Sequence, residues 1–211
     1  DDLMKIGAAA TGEALVGGGS GIALGLPAKV GAAPAAPRWQ AVPGPGVVLS
    51  GSCSRATRGQ VARFRATNPG REVTAEAVVS GAVRAEMLAD WVLSQDRPAL
   101  VYSSADPTVV QAAQVRYGRE TAAEAIEALF SSLAGLLAGT GVTRFVVAGG
   151  ETSGAVVSGL GASALAIGPR IAPGVPAVRL ADRPIALALK SGNFGGPEFF
   201  SEALTMMEAG Q

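Results

Sequence analysis

Residues able to do chemistry gather in four short runs rich in glycine and serine, and two common reagents are scarce or missing. The sequence has no histidine and a single cysteine, Cys53. Ser-His-Asp and Cys-His nucleophilic machinery, His-ligated zinc, Cys-cluster metal sites and internal disulfides are therefore excluded within the chain. What remains is chemistry run by carboxylates, Lys or Arg, hydroxyls, backbone amides and an oxygen-loving cation such as Mg²⁺. Lys5, Lys29 and Lys190 are the only lysines. Lys190 stands out because an apolar run precedes it and a glycine loop follows.

The strongest run is Ala148-Gly149-Gly150-Glu151-Thr152-Ser153-Gly154. Glycines directly after an apolar strand let backbone amides approach a ligand, and Thr152 or Ser153 can cap the helix that follows. A helix start with open N–H groups and a positive dipole end receives anions. Glu151 beside it could bind a metal through water or hydrogen-bond a ribose; the plainer alternative is a tight strand-to-helix turn. In Leu189-Lys190-Ser191-Gly192-Asn193-Phe194-Gly195, the lysine could face a phosphate and Phe194 cover a purine ring, or the run could be a simple turn. Gly51-Ser52-Cys53-Ser54, with Thr57 one turn on, suits phosphate contacts or a cap, and Cys53 reads as a small packed residue. Gly17-Gly18-Gly19-Ser20-Gly21 is a further possible nest of amides.

Familiar fingerprints are missing. No glycine loop ends in Gly-Lys-[Ser/Thr], so there is no Walker P-loop. Gly159-Leu160-Gly161-Ala162-Ser163-Ala164 matches a dinucleotide fingerprint by count but follows no clear strand. No serine sits in a nucleophile-elbow pattern.

The runs are positioned by a repeating order of strand, small-residue loop and helix. Val47-Val48-Leu49 leads into Ser50-Gly51-Ser52-Cys53-Ser54 and a helix to about Arg65. Ala99-Leu100-Val101-Tyr102 leads into Ser103-Ser104, after a helix over 82–93. Phe145-Val146-Val147 leads into the Gly149 run. Its preceding helix, about 120–137, carries Ala125, Leu129, Leu133, Leu136 and Leu137 on one side. Residues 164–167, 177–180 and 185–189 predict further strands, and Gly195-Gly196-Pro197 opens a last helix through Met207. Short helices are expected over 2–10 and 22–26. The stretch 27–46, with Pro27, Pro34, Pro37, Pro43 and Pro45, predicts a surface loop. This order predicts an α/β fold, a three-layer domain with a mainly parallel sheet flanked by helices and a binding crevice at the carboxyl ends of the strands.

Seventeen basic residues balance seventeen acidic ones, so no global field favours nucleic acid. Arg55, Arg58, Arg63 and Arg65 fall at helical spacing and read as a solvated face or, alternatively, a phosphate-facing edge. No uncharged apolar run reaches the roughly 18–20 residues of a membrane span, and the start lacks a signal-peptide pattern. A soluble, cytoplasmic protein is the expectation.

Five ordered motifs carry a resemblance. The runs at Gly18–Gly21, Ser50–Ser54 with Thr57 and Gln60, Gly149–Gly154, Ala172-Pro173-Gly174-Val175-Pro176 and Leu189–Gly195 are similar to the carboxyl-terminal domain of the four-carbon acid sugar kinase family. The resemblance runs from about Asp2 to Leu204. It implies one nucleotide-binding domain over 1–211 that uses ATP and Mg²⁺. The acid sugar, a 3-oxo-tetronate, erythronate or threonate type, would be held by an amino-terminal domain this chain does not contain. It implies ATP contacts from Ser52 or Ser54, from Gly149, Gly150, Glu151 and Thr152, and from Gly195. Ser153, Lys190, Gly192 and Asn193 join the expected nucleotide-binding set on the loop reading above. No catalytic base and no protein metal site are assigned, and the isolated chain is expected to be incomplete for catalysis. A homodimer is a further expectation. The alternative function is a regulatory module that senses a nucleotide or phosphorylated metabolite without turnover.

Overall fold

A computed structural model describes residues 2–32, 39–103 and 115–209. Pro34, Pro37 and Ser104, named above in loops, lie outside the described residues. The chain forms two compact units, Asp1–Pro37 and Arg38–Gln211.

In the first unit, α1 (Asp2–Ala9) is followed by two 3₁₀ helices, Ser20–Gly25 and Pro27–Val30. Gly7 and Gly25 permit their contact: a Cβ on Gly7 would stand 2.4 Å from the Ile22 carbonyl oxygen and 2.7 Å from Gly25 Cα. The Gly17–Gly21 run belongs to this unit and leads into the first 3₁₀ helix. Pro27 opens the second, part of the stretch expected to be loop.

The second unit is an α/β domain. Its elements in order are β1 (Gly46–Ser50), α2 (Arg55–Arg65), β2 (Gly70–Glu72), α3 (Ala75–Val79), α4 (Ala85–Leu93), β3 (Ala99–Tyr102), α5 (Arg119–Gly139), β4 (Arg144–Ala148), α6 (Gly150–Gly159), β5 (Leu165–Ala172), β6 (Val175–Leu180), β7 (Ala186–Lys190) and α7 (Phe199–Glu208). The strands form one sheet in the order β2-β3-β1-β4-β7-β6-β5. The pairs from β2 to β7 are parallel, and β6 and β5 add an antiparallel edge. The mainly parallel sheet expected from the sequence is therefore present.

The parallel strands are apolar without alternation because both faces are covered. Val47, Leu49, Phe145, Val147 and Leu187 pack beneath α3 to α6, whereas Val48, Val146, Ala148, Ala186 and Ala188 pack on the side of α2 and α7. Successive side chains thus feed two separate cores, which makes the three layers.

Several elements differ in detail from the sequence pattern. The helix expected over 82–93 is α4 alone, preceded by α3 and a turn at Gly81, whose φ of 73° suits glycine. On α5, Leu129, Leu133 and Leu137 are buried but Leu136 is exposed, because the stripe that meets the core returns every 3.6 residues and Leu136 falls beside it. Length and composition alone would let α5 cross a membrane; in this fold its buried side closes the core above β1 and β4.

Strand register sets the floor of the site. Ser50 pairs with Tyr102 and with Ala148, and Ala148 pairs with Lys190. The four parallel strands therefore end at one level, and the segments at 51–54, 103 and 191–196 leave the sheet beside Gly149 and the start of α6. After β1 the chain builds outward to β2 and β3, then returns to place β4 on the other side of β1. Ligands of open α/β sheets bind at such a reversal.

Candidate functional site

Between the β1 and β4 loops lies a cavity of about 620 Å³, within the roughly 300–1,000 Å³ usual for small-molecule sites. Its polar end is built from Gly51, Ser52, Gly149, Gly150, Glu151, Thr152 and Gly192. Its apolar side comes from Val73, Ala75, Ala122, Ala123 and Ile126, and Glu76, Arg116 and Tyr117 also line it.

The polar end is compact because glycines let backbones meet. The amides of Gly51 and Ser52 both donate to the Ala148 carbonyl, at 2.9 and 3.1 Å, and the Gly149 amide donates to the Lys190 carbonyl at 2.9 Å. A Cβ on Gly51 would stand 2.1 Å from Thr152 Oγ1. Gly149 combines a φ of 129° with a Cβ position only 2.9 Å from the same oxygen. Gly150 is different, since a Cβ there would meet nothing within 4 Å. α6 begins here without a side-chain cap on its Gly149 end, so first-turn amides and the positive end of the helix dipole are presented at the cavity. Ser153 is turned to other work, donating to the Gly149 carbonyl at 2.6 Å.

Behind the polar end lies a buried network centred on Lys190, which is 1% exposed. Its ammonium donates to Gln60 Oε1 at 2.6 Å, Thr57 Oγ1 at 2.8 Å and the Gly192 carbonyl at 3.1 Å. Thr57 Oγ1 and Ser54 Oγ also donate to the Gly192 carbonyl. Ser54 meanwhile caps α2, accepting the Thr57 amide at 3.2 Å. Gln60 spends its nitrogen on the carbonyls of Phe194, Gly195 and Gly196, at 3.1, 3.1 and 2.9 Å. Burial alone lowers the Lys190 ammonium from its ordinary value to about 8.

Of the residues the sequence nominated, Ser52, Gly149, Gly150, Glu151, Thr152 and Gly192 line the cavity. Ser54, Ser153, Lys190, Asn193 and Gly195 do not. Lys190 and Ser54 belong to the supporting network, and Gly195, with φ 81°, forms a turn packed on the Phe199 ring. Asn193 is exposed. Phe194 does not cover the cavity: its ring lies against Gly174 in the Pro173-Gly174 turn between β5 and β6, where a Cβ would come within 2.7 Å of it. Of the basic cluster on α2, Arg63 pairs with Glu198 and Arg65 lies 5.0 Å over the Tyr102 ring.

Sequence reasoning missed the apolar side and the rim. There Arg116 pairs with Glu76 at 2.6 Å, both side chains being more than half exposed, and the Arg116 guanidinium lies 5.1 Å over the Tyr117 ring. One available signal was Thr74, which caps α3 by accepting the Ala77 amide at 3.2 Å. A threonine before Ala-Glu marks a helix start. Among the described residues no group of three or more Asp, Glu, Cys or His side chains forms a metal-ligand set.

The cavity brings anion-receiving amides and hydroxyls together with apolar side chains, the two kinds of surface a nucleotide needs. The family model described as "Nucleotide-binding C-terminal domain" matches residues 47–200. The chain is similar to 3-oxo-tetronate kinase from Cupriavidus necator, at 47% identity over 98% of this chain and 50% of that protein. It is likewise similar to 3-oxo-tetronate kinase from Salmonella typhimurium, at 48% identity over 90% of this chain and 47% of that protein. The chain spans about half the length of the curated relatives it matches. Among solved structures, a Haemophilus influenzae protein superposes with a TM-score of 0.81 at 38% identity, covering 97% of this chain and 51% of that one.

Proposed function

The chain belongs to the nucleotide-binding C-terminal domain family, and from that premise we propose that its cavity holds ATP as phosphoryl donor for a kinase of four-carbon acid sugars. The observation that carries the proposal is the meeting of Gly51-Ser52 and the uncapped start of α6 at the carboxyl ends of β1 and β4, beside an apolar slot.

Phosphoryl transfer needs positioning and charge neutralisation more than covalent help from the protein. The hydroxyls of Ser52 and Thr152 and the first-turn amides of Gly150, Glu151 and Thr152 are the proposed phosphate contacts. The slot between Val73 and Ile126 is the proposed seat of the base, its small alanines leaving room for a flat ring. Mg²⁺ suits this lining as a cation held by phosphate oxygens and water, with Glu151 the nearest carboxylate to the helix start; it would neutralise charge on the transferring group. The 3-oxo-tetronate type of acceptor is proposed from the named relatives. The acceptor site and the base that takes its hydroxyl proton are assigned to the part of those relatives this chain does not span.

Calorimetric titration with ATP and ADP, with and without Mg²⁺ and with GTP as comparison, tests the reading. Saturable adenine-nucleotide binding is expected. Absence of heat and of thermal stabilisation at millimolar nucleotide would overturn it.

A further inference from the structure

Lys190 is the only lysine in the second unit, and it is buried with no carboxylate partner among the described residues. A charge in such a position is costly even when its hydrogen bonds are satisfied. A methionine would fill a similar volume without that cost. The fold instead surrounds the ammonium with neutral acceptors, and one of them, the Gly192 carbonyl, belongs to a residue that lines the cavity.

Resting on the nucleotide reading of that cavity, we propose that Lys190 is a positioning residue. Its ammonium ties α2 to the Gly192 loop behind the cavity wall, and it keeps there one uncompensated positive charge that a nucleotide's phosphates complete. The geometry carries both halves. Thr57 and Gln60 hold the ammonium from α2 and the Gly192 carbonyl holds it from the loop, so it bridges two of the segments that shape the polar end. One peptide group separates it from the lining, close enough for an anion to act on it through a medium with little water.

Neighbouring charges do not already fill this role. Arg55, Arg58, Arg63 and Arg65 on α2 are cations and cannot neutralise it; of the acids on or beside α7, Glu198 pairs with Arg63 and Glu208 with Arg144, and burial is the single cause of the lowered Lys190 titration. An anion at the polar end opposes that burial and draws a proton back onto the amine.

The test is calorimetry of ATP binding between about pH 7.5 and about pH 9.5, where the nucleotide phosphates are already ionised. Paired buffers of different ionisation enthalpy count the protons taken up. The expected result is uptake of roughly half a proton or more near about pH 8.5, and an affinity on the order of tenfold weaker at the alkaline end. The Cys53 thiol lines the same cavity, and thiols as a class ionise in mild alkali, so Cys53→Ala is measured in parallel and keeps the uptake. Lys190→Met loses the uptake, and Lys190→Arg, which stays charged, keeps affinity without the alkaline fall. Nucleotide binding without proton uptake, or uptake that vanishes in Cys53→Ala, overturns this proposal and leaves the nucleotide site standing. Failure of the unmodified chain to bind nucleotide at neutral pH overturns the nucleotide reading itself and this inference with it. If Lys190→Met does not fold, the proton counts of the unmodified chain and of Cys53→Ala decide.

Discussion

Lys190 and Gln60 are joined by a 2.6 Å hydrogen bond from ammonium to amide oxygen, and that bond fixes which way the amide points. The Gln60 nitrogen must then face the Phe194, Gly195 and Gly196 carbonyls. Gln60→Glu keeps the shape but inverts the logic: it hands Lys190 a counter-charge and turns a carboxylate oxygen toward three carbonyls. Loss of about 2–3 kcal/mol of stability is expected in urea denaturation, with nucleotide affinity at least about tenfold weaker because the positive charge is spent internally. An unchanged midpoint would mean the 194–196 turn draws its order from elsewhere.

The same lysine makes stability depend on pH with a definite sign. Its amine titrates at about 8 in the folded chain and at its ordinary value of 10.5 when unfolded. Between those values the unfolded chain holds the proton that the folded chain has released, so stability rises with pH through the window and is flat below it. The difference between the unmodified chain and Lys190→Met should change by up to about 3 kcal/mol across that span. Nucleotide affinity is expected to fall over the same range in which stability rises. Parallel denaturation curves at each pH measure it, and a constant difference would show that the ammonium is not desolvated.

Much of this was legible in the sequence, and the rest has physical reasons for having been hidden. Val47–Leu49, Ala99–Tyr102 and Phe145–Val147 announce themselves as strands because both faces are buried, leaving uninterrupted apolar runs. β2, with the sequence Gly-Arg-Glu, has no such run; it exists because β3 offers it a free edge. A lysine at a strand end can be seen in the sequence, but whether it turns outward to a ligand or inward depends on Thr57 and Gln60, far away in the chain. The apolar slot joins Val73 to Ala122 and Ile126, residues whose meeting is purely tertiary. Phe194 reads as a cover for a base until Gly174, on a distant turn, is found beneath its ring.

Arg144 supplies a contrast at the opposite end of the sheet. It begins β4 and is 7% exposed. Its guanidinium donates to the Gly44 carbonyl at 3.0 and 2.6 Å, to the Leu204 carbonyl at 2.9 Å and to Glu208 at 2.7 Å. Arg144→Met leaves those carbonyls without their donor, and a loss of about 3 kcal/mol is expected, or about 6–12 °C in melting temperature. Nucleotide affinity should stay within about twofold, because the cavity lies at the other ends of the strands. A large fall in affinity would mean that α7 couples the two ends.

Three adjacent glycines separate a ligand's space from the fold's. Gly51 and Gly149 have no room for a Cβ, Thr152 Oγ1 being 2.1 and 2.9 Å away, and Gly149 also has a positive φ. Gly51→Ala or Gly149→Ala must push the β1 and β4 loops apart, and each is expected to cost on the order of 2–4 kcal/mol. Gly150 lies on helical backbone with open space where a Cβ would be, yet it lines the cavity. Gly150→Val should therefore fold with stability within about 1 kcal/mol of the unmodified chain, while its side chain occupies the space proposed for phosphate. Thermal unfolding and ATP titration of the same sample distinguish the cases. A stable Gly150→Val that still binds ATP at unchanged affinity would move the phosphate site away from the start of α6. A stable variant with binding weakened at least about tenfold would tie the ligand to that helix end, since nothing else in the fold would have changed.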